Sequence, residues 1–189
     1  VMGVELVVCN TDTQALNNSP VPIKIQLGER ITEGLGAGND PSVGETAAVE
    51  SLVKINEVLD DCTKMVIITA GMGGGTGTGA APVVAKAAHE KGILTIAIVT
   101  VPFSSEGNLR INPANEGIKK MREYVDALLV INDDKLIEFQ DCSFSNAFKK
   151  ADEIVVVAAK SIAEIITSPG SINLDVRDVN SVIKNHGVA

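Results

Sequence analysis

A chain of 189 residues, 45% of them hydrophobic, is long enough for one sizeable core and too short for two domains with separate cores. Sixteen basic residues against 24 acidic ones leave a net charge of −8 with no run of lysine or arginine, which sets aside nucleic acid and anionic membrane surfaces as partners. The unbroken apolar runs, such as Ile154–Ala159, fall far short of the roughly 20 residues that a membrane span needs, so a soluble chain is expected.

The first apolar, β-rich run is Val4–Val8, so close to Val1 that no signal peptide fits and a fragment of a longer chain is expected. A shorter strand candidate follows at Ile23–Leu27. Ala48, Leu52, Ile55 and Leu59 then share one face of a helix opening after Pro41. Met65–Ala70 reads as a buried strand. The helix after it starts near Gly79-Ala80, carries Val83, Val84, Ala87 and Ala88, and ends on a cation and a C-cap glycine at Lys91-Gly92. Beyond strand Ile93–Val101, Asn112-Pro113 reads as an N-cap with proline at the first helical position. Strand Ala127–Ile131 comes next. Phe148, Ala151, Ile154, Val155, Ala158, Ile162 and Ile165 then repeat at helical spacing from about Ser145 to Thr167, a rod of about 33 Å ended by Pro169-Gly170 and expected to be buried on most of its surface.

Strands without clean alternation, separated by helices, predict a Rossmann-like α/β fold: a parallel sheet with helices on both faces, ending in a long central helix. Cys9, Cys62 and Cys142 form no CxxC pair, which excludes a disulfide framework and a zinc site and points to a reducing cytoplasm. With only His89 and His186, a histidine metal cluster or catalytic triad has almost no material.

The stretch TAGMGGGTGTGAAPVV places five glycines in the seven residues Gly73–Gly79, between strand Met65–Ala70 and the following helix. Ligands of open α/β sheets sit at such strand-to-helix junctions. There, glycine lets backbone N–H groups converge on an anion, the helix dipole adds positive potential, and Thr76 and Thr78 offer hydroxyl donors. A tightly turned connection is the plainer alternative for one glycine pair, but not for five. No lysine follows as in GxxxxGK[ST], and GxGxxG is not met, so neither a P-loop enzyme nor a nicotinamide oxidoreductase is indicated.

GGGTGTG resembles the signature loop of the tubulin/FtsZ family of GTP-dependent filament proteins. The blocks NTDTQAL, KIQLGERITEGLGAGNDPSVG, PFSSEGNLR, AFKKAD and ITSPGSINLDVRDV are similar, in order and spacing, to the bacterial FtsZ branch, and together they span essentially the whole chain. The resemblance implies a GTP/GDP-binding domain over residues 1–189, Mg²⁺ as its metal, hydrolysis of GTP and head-to-tail self-assembly in bacterial cell division. It also implies a cytoplasmic protein at the division site, with adaptor proteins engaged through regions outside this chain and no direct membrane binding. Gly74, Gly75, Thr76 and Gly77 would hold the phosphates. The turn Gly34–Asn39, through Gly36, Ala37 and Gly38, would sense the terminal phosphate, although without the family it is equally a surface turn. Asn10 and Asp12 would face the phosphates and Mg²⁺; an Asn-Thr-Asp cluster is as readily a turn or an N-cap.

Glu106 and Arg110 match ribose and base-edge contacts, or else form a surface pair four residues apart. Phe148 and Asp152 match the base site, the ring stacking on guanine and the carboxylate accepting from its N1–H and exocyclic amine. Asn173, Asp175 and Asp178 match the segment that reaches the neighbouring subunit's nucleotide, where two aspartates would orient the attacking water. Read plainly, they are a dipole-favoured helix cap. Two departures stand out. Asp133 replaces an asparagine that contacts nucleotide in the family, exchanging an amide donor for a negative charge, and Gln140–Phe144 differs in composition and is slightly shortened. The family's first strand and leading glycine-rich phosphate loop, and its C-terminal domain, are expected to lie outside this chain. A filament or regulatory module with weak or no nucleotide binding is the alternative.

Overall fold

The computed structural model of the chain describes residues 4–132, 134–135 and 144–167, with side chains in the last segment for residues 149–164. Strand β1 (Val7–Asn10) leads into helix α1 (Thr13–Asn18), strand β2 (Ile23–Gln26) and the single turn α2 (Glu29–Thr32). Helices α3 (Pro41–Glu50) and α4 (Leu52–Val58) follow, then β3 (Met65–Gly71), α5 (Gly75–Glu90) and β4 (Leu94–Val101). A 3-10 turn (Ser104–Glu106), α6 (Asn108–Arg122), β5 (Ala127–Asn132) and the long α7 (Phe144–Thr167) complete the order.

The parallel α/β architecture is the expected one. β1 pairs with β2 from Val7 opposite Ile23 to Asn10 opposite Gln26, and β4 lies between β3 and β5, every pairing parallel. Among the described residues the sheet comes in two pieces, because β1 and β3 are not bonded to each other. One helical layer spans both. Ile25 of β2 shares a cluster with Ala47 and Ala48 of α3, Ile55 of α4 and Ala88 of α5, against which Val66 of β3 also packs. A second cluster joins Ala85 of α5, Ala114 and Met121 of α6, Ala97 and Val99 of β4 and Leu128 of β5. Leu94–Val99 are buried without alternation, as a strand covered on both faces must be; Ile96 and Ile98 face the side where α7 packs on β4.

Several boundaries depart from the sequence reading. The first strand is Val7–Asn10 rather than Val4–Val8; Val4 and Leu6 are exposed, and the ladder runs on to Asn10, whose carbonyl accepts from Leu27 N at 2.9 Å. The helix after Pro41 breaks at Ser51, whose hydroxyl accepts from the buried Gly28 N at 2.9 Å. Helix α6 starts at Asn108, so Pro113 sits inside it and not at its head. Proline there deprives the Leu109 carbonyl of its helical donor, and that turn is exposed, so water can serve. Helix α7 buries a stripe rather than most of its surface. Ala151 and Ala163 are buried and Ile154, Val155, Ala158 and Ile162 half-buried, while Val156 and Val157 are each 62% exposed on the side away from the sheet. The expected stop at Pro169-Gly170 lies outside the described residues.

The largest difference concerns α5, which begins at Gly75 and not near Gly79, so that most of the glycine run is helix. Glycine inside a helix costs about 1 kcal/mol relative to alanine. Close packing offsets that cost: a methyl on Gly79 would overlap the Pro41 carbonyl of α3, and one on Gly75 would stand 2.7 Å from Ala37 Cβ. Gly79→Ala is therefore expected to remove about 3 kcal/mol from the free energy of chemical denaturation. Gly92→Ala, where φ is +70° but no atom lies within 4 Å of the new methyl, should remove only about 1 kcal/mol. Equal losses at the two positions would show that α3–α5 contact is not what these glycines serve.

Candidate functional site

Because all strands run parallel, the connections after β1, β3 and β4 emerge at one edge of the sheet, with the Gly34–Asn39 turn drawn in beside them. An antiparallel bridge between Asp12 and Leu35 makes that attachment, with Thr13 N donating to Gly34 O at 3.0 Å and Gly36 N to Thr11 O at 3.3 Å. Asp40, just past the turn, caps α3: its carboxylate accepts from the Ser42 hydroxyl at 2.7 Å and the Ser42 amide at 2.8 Å, which holds its pKa below the usual carboxylate range. Ala37 is buried against Gly75, the close approach that small residues in this turn permit. Gly36 is half-buried and Gly38 is exposed.

The glycines divide the work at the head of α5. Gly73, at φ +96°, turns the chain out of β3, and its amide donates to the hydroxyl of Thr78 at 2.8 Å. Thr78 is thus committed inward and buried, contrary to the expectation that it would serve a ligand. Gly75, Gly77 and Gly79 admit close neighbours. Gly74 is the open one: a methyl there would meet only Arg110 Nη1 at 3.6 Å and Asn39 Oδ1 at 3.9 Å. No side chain caps α5 and no acidic residue stands in its first turn, so the amides at its head retain their capacity for an acceptor. A 16-residue helix with a bare, partly exposed N-terminus beside a guanidinium is suited to an anion with several oxygens.

The remaining predicted residues fall in different places. Asp12 caps α1, its Oδ1 accepting from Gln14 N at 2.8 Å and Ala15 N at 3.0 Å, and Asn10 Oδ1 accepts from Asp12 N at 3.2 Å. Both lie at the end of β1, next to Thr11, whose hydroxyl meets that of Thr76 at 2.7 Å. Arg110, in the first turn of α6, stands beside Gly74 at the head of α5. Glu106 closes the 3-10 turn, accepting from Phe103 N at 3.1 Å, and Asp134 holds the same turn through the Ser104 amide at 3.0 Å and hydroxyl at 3.1 Å. Asp152 is exposed on α7. The Phe148 side chain, Asp133, Asn173, Asp175 and Asp178 lie outside the described residues.

Thr11, Asn39 and Asp134 were not singled out from the sequence; Thr11 lay inside the Asn-Thr-Asp cluster, where nothing local marks a threonine as buried. Burial pushes the Cys9 thiol of β1 up to about 11, so it is no nucleophile at neutral pH. Among the described residues no group of three or more His, Cys, Asp or Glu is placed to hold a metal ion, and no helix is long and apolar enough to cross a membrane.

A family profile, that of the tubulin/FtsZ GTPase domain, matches residues 2–141. The chain belongs to the tubulin/FtsZ family. It is 51% identical over 191 residues to the cell division protein FtsZ of Porphyromonas gingivalis, covering 100% of this chain and 42% of that protein. It is also 51% identical over 189 residues to FtsZ of Coxiella burnetii, covering 99% and 49%. An empty FtsZ dimer of M. jannaschii superposes with a TM-score of 0.94 at 44% identity, over 98% of this chain and 54% of that one. The chain spans about half the length of the curated relatives it matches. Within the bare head of α5, the Thr78 hydroxyl holds the buried Gly73 amide. Thr78→Val should lower the free energy of denaturation by about 2 kcal/mol by orphaning the buried Gly73 amide, and Thr78→Ser should keep most of it. Identical losses in the two variants would assign the effect to the side-chain methyl instead.

Proposed function

We propose that this chain is the GTP-binding part of a GTP-hydrolysing, self-assembling filament protein of bacterial cell division, acting in the cytoplasm at the division site. The observation that carries the reading is the uncapped head of α5, with Gly74 open between Asn39 and Arg110, in a chain of this family. The amides of the first turn and the Thr76 hydroxyl would take phosphate oxygens, and Arg110 would neutralise charge beside them. Glu106 would accept from ribose hydroxyls, with Phe148 and Asp152 on the guanine. Asp133 would border the base site as well.

Mg²⁺ fits as an ion held chiefly by phosphate oxygens and water, since Asp12, just past β1, has one of its oxygens committed to the α1 cap. The metal would offset charge on the transferring phosphoryl group. Asn173, Asp175 and Asp178 would orient the attacking water at the nucleotide of the next subunit in a head-to-tail polymer, which makes turnover dependent on assembly. Adaptor proteins would bind elsewhere on the whole protein. The unpaired edges of β1 and β3 support a site completed by a further strand and a second glycine-rich loop. The same edges favour the second reading, in which this piece alone binds nucleotide weakly and acts as a filament module.

Gly74→Ala is expected to change stability by under about 1 kcal/mol, since the new methyl meets only ordinary contacts, while weakening GTP binding at least about tenfold by isothermal titration. Unchanged affinity would remove the phosphate assignment. In the full-length protein, GTP turnover per molecule should rise with protein concentration, and Asp178→Ala should cut turnover by about 100-fold with GTP affinity within twofold. Concentration-independent turnover would reject hydrolysis in trans.

A further inference from the structure

Thr11 bonds to both turns of the site. It is fully buried at the end of β1. Its carbonyl accepts from Gly36 N at 3.3 Å and faces the Thr32 hydroxyl at 3.2 Å, which anchors the Gly34–Asn39 turn. The side chain points the other way, its hydroxyl 2.7 Å from that of Thr76 in the first turn of α5. Among the described residues the Thr11 hydroxyl is partnered by that of Thr76.

A hydroxyl has one proton to donate. When Thr11 gives its proton to Thr76 Oγ1, the Thr76 proton is left for an acceptor outside the pair. We propose that Thr11 is a positioning residue: it holds the Thr76 hydroxyl as an outward donor to phosphate and ties the head of α5 to the Gly34–Asn39 turn, so that order in one turn favours order in the other. The phosphate half of this rests on the nucleotide-binding reading; the tie between the turns rests on the hydrogen bonds alone.

Two measurements on the full-length protein decide it. Thr11→Val keeps shape and loses the hydroxyl, whereas Thr11→Ser keeps the hydroxyl. Thr11→Val should raise the KM for GTP about fivefold with kcat within twofold, and Thr11→Ser should restore the KM. Without nucleotide, Thr76→Val, a change on the partly exposed helix head, should speed amide exchange across Gly36–Asn39 by about fivefold, and the Thr11→Val/Thr76→Val pair should add little to either single change. Unaltered exchange in Thr76→Val overturns the tie between the turns. A Thr11→Val variant with lowered Tm but unchanged KM overturns the positioning role. If the unsubstituted protein bound no guanine nucleotide, the functional reading and the phosphate half would fall together, and exchange would still settle the tie.

Discussion

The contact between α3 and α5 organises this molecule. Helices normally pack with axes 8–10 Å apart, separated by their side chains. Here Gly79 meets the Pro41 carbonyl, Gly44 meets the Gly75 carbonyl, and a methyl at any of these glycines would overlap backbone of the opposite helix. That proximity places the head of α5 against the Gly34–Asn39 turn and the start of α3, and it leaves Gly74 as the opening through which the helix N-terminus reaches solvent. Ala47 and Ala48, both fully buried, show the same economy of size on the α3 side.

From that contact the site follows by short links. Asp40 caps α3 next to the turn, Ala37 seats on Gly75, and Thr11 runs between the end of β1 and Thr76. Each link involves a small or hydroxyl-bearing side chain, which keeps the turns close together. Charge is sparing: among the described residues the guanidinium of Arg110 stands beside Gly74 at the head of α5. Positive potential at this edge therefore comes mainly from oriented backbone amides, which need no reorganisation to receive an acceptor. On the far side of the sheet, α7 covers β4 with one stripe and leaves Val156 and Val157 exposed.

Much of this was legible in the residues. β-rich runs separated by helical spacing determined a parallel α/β fold, because a strand covered on both faces has to be almost wholly apolar, as Leu94–Val99 is apart from Thr95, whose hydroxyl donates to the Ile93 carbonyl. The glycine run at a strand-to-helix junction, with no lysine after it, turned the reading from P-loop chemistry to the tubulin/FtsZ family, to which the chain belongs.

Tertiary structure decided what each of those residues does. Local pattern could not tell that Gly75, Gly77 and Gly79 are inside the helix and serve packing, since what they make room for, Ala37, Gly71 and Pro41, lies in other segments of the chain. Nor could it tell that Thr78 turns inward to Gly73 while Thr76 is half-buried against Thr11: two threonines two apart in a helix point in directions about 200° apart, and only the position of the core says which is fully buried. The break at Ser51 and the one-sided burial of α7 have the same origin. Composition and spacing set which elements form and which residue types can meet an anion; the partner on the far side of each contact, remote in sequence, sets which of them do.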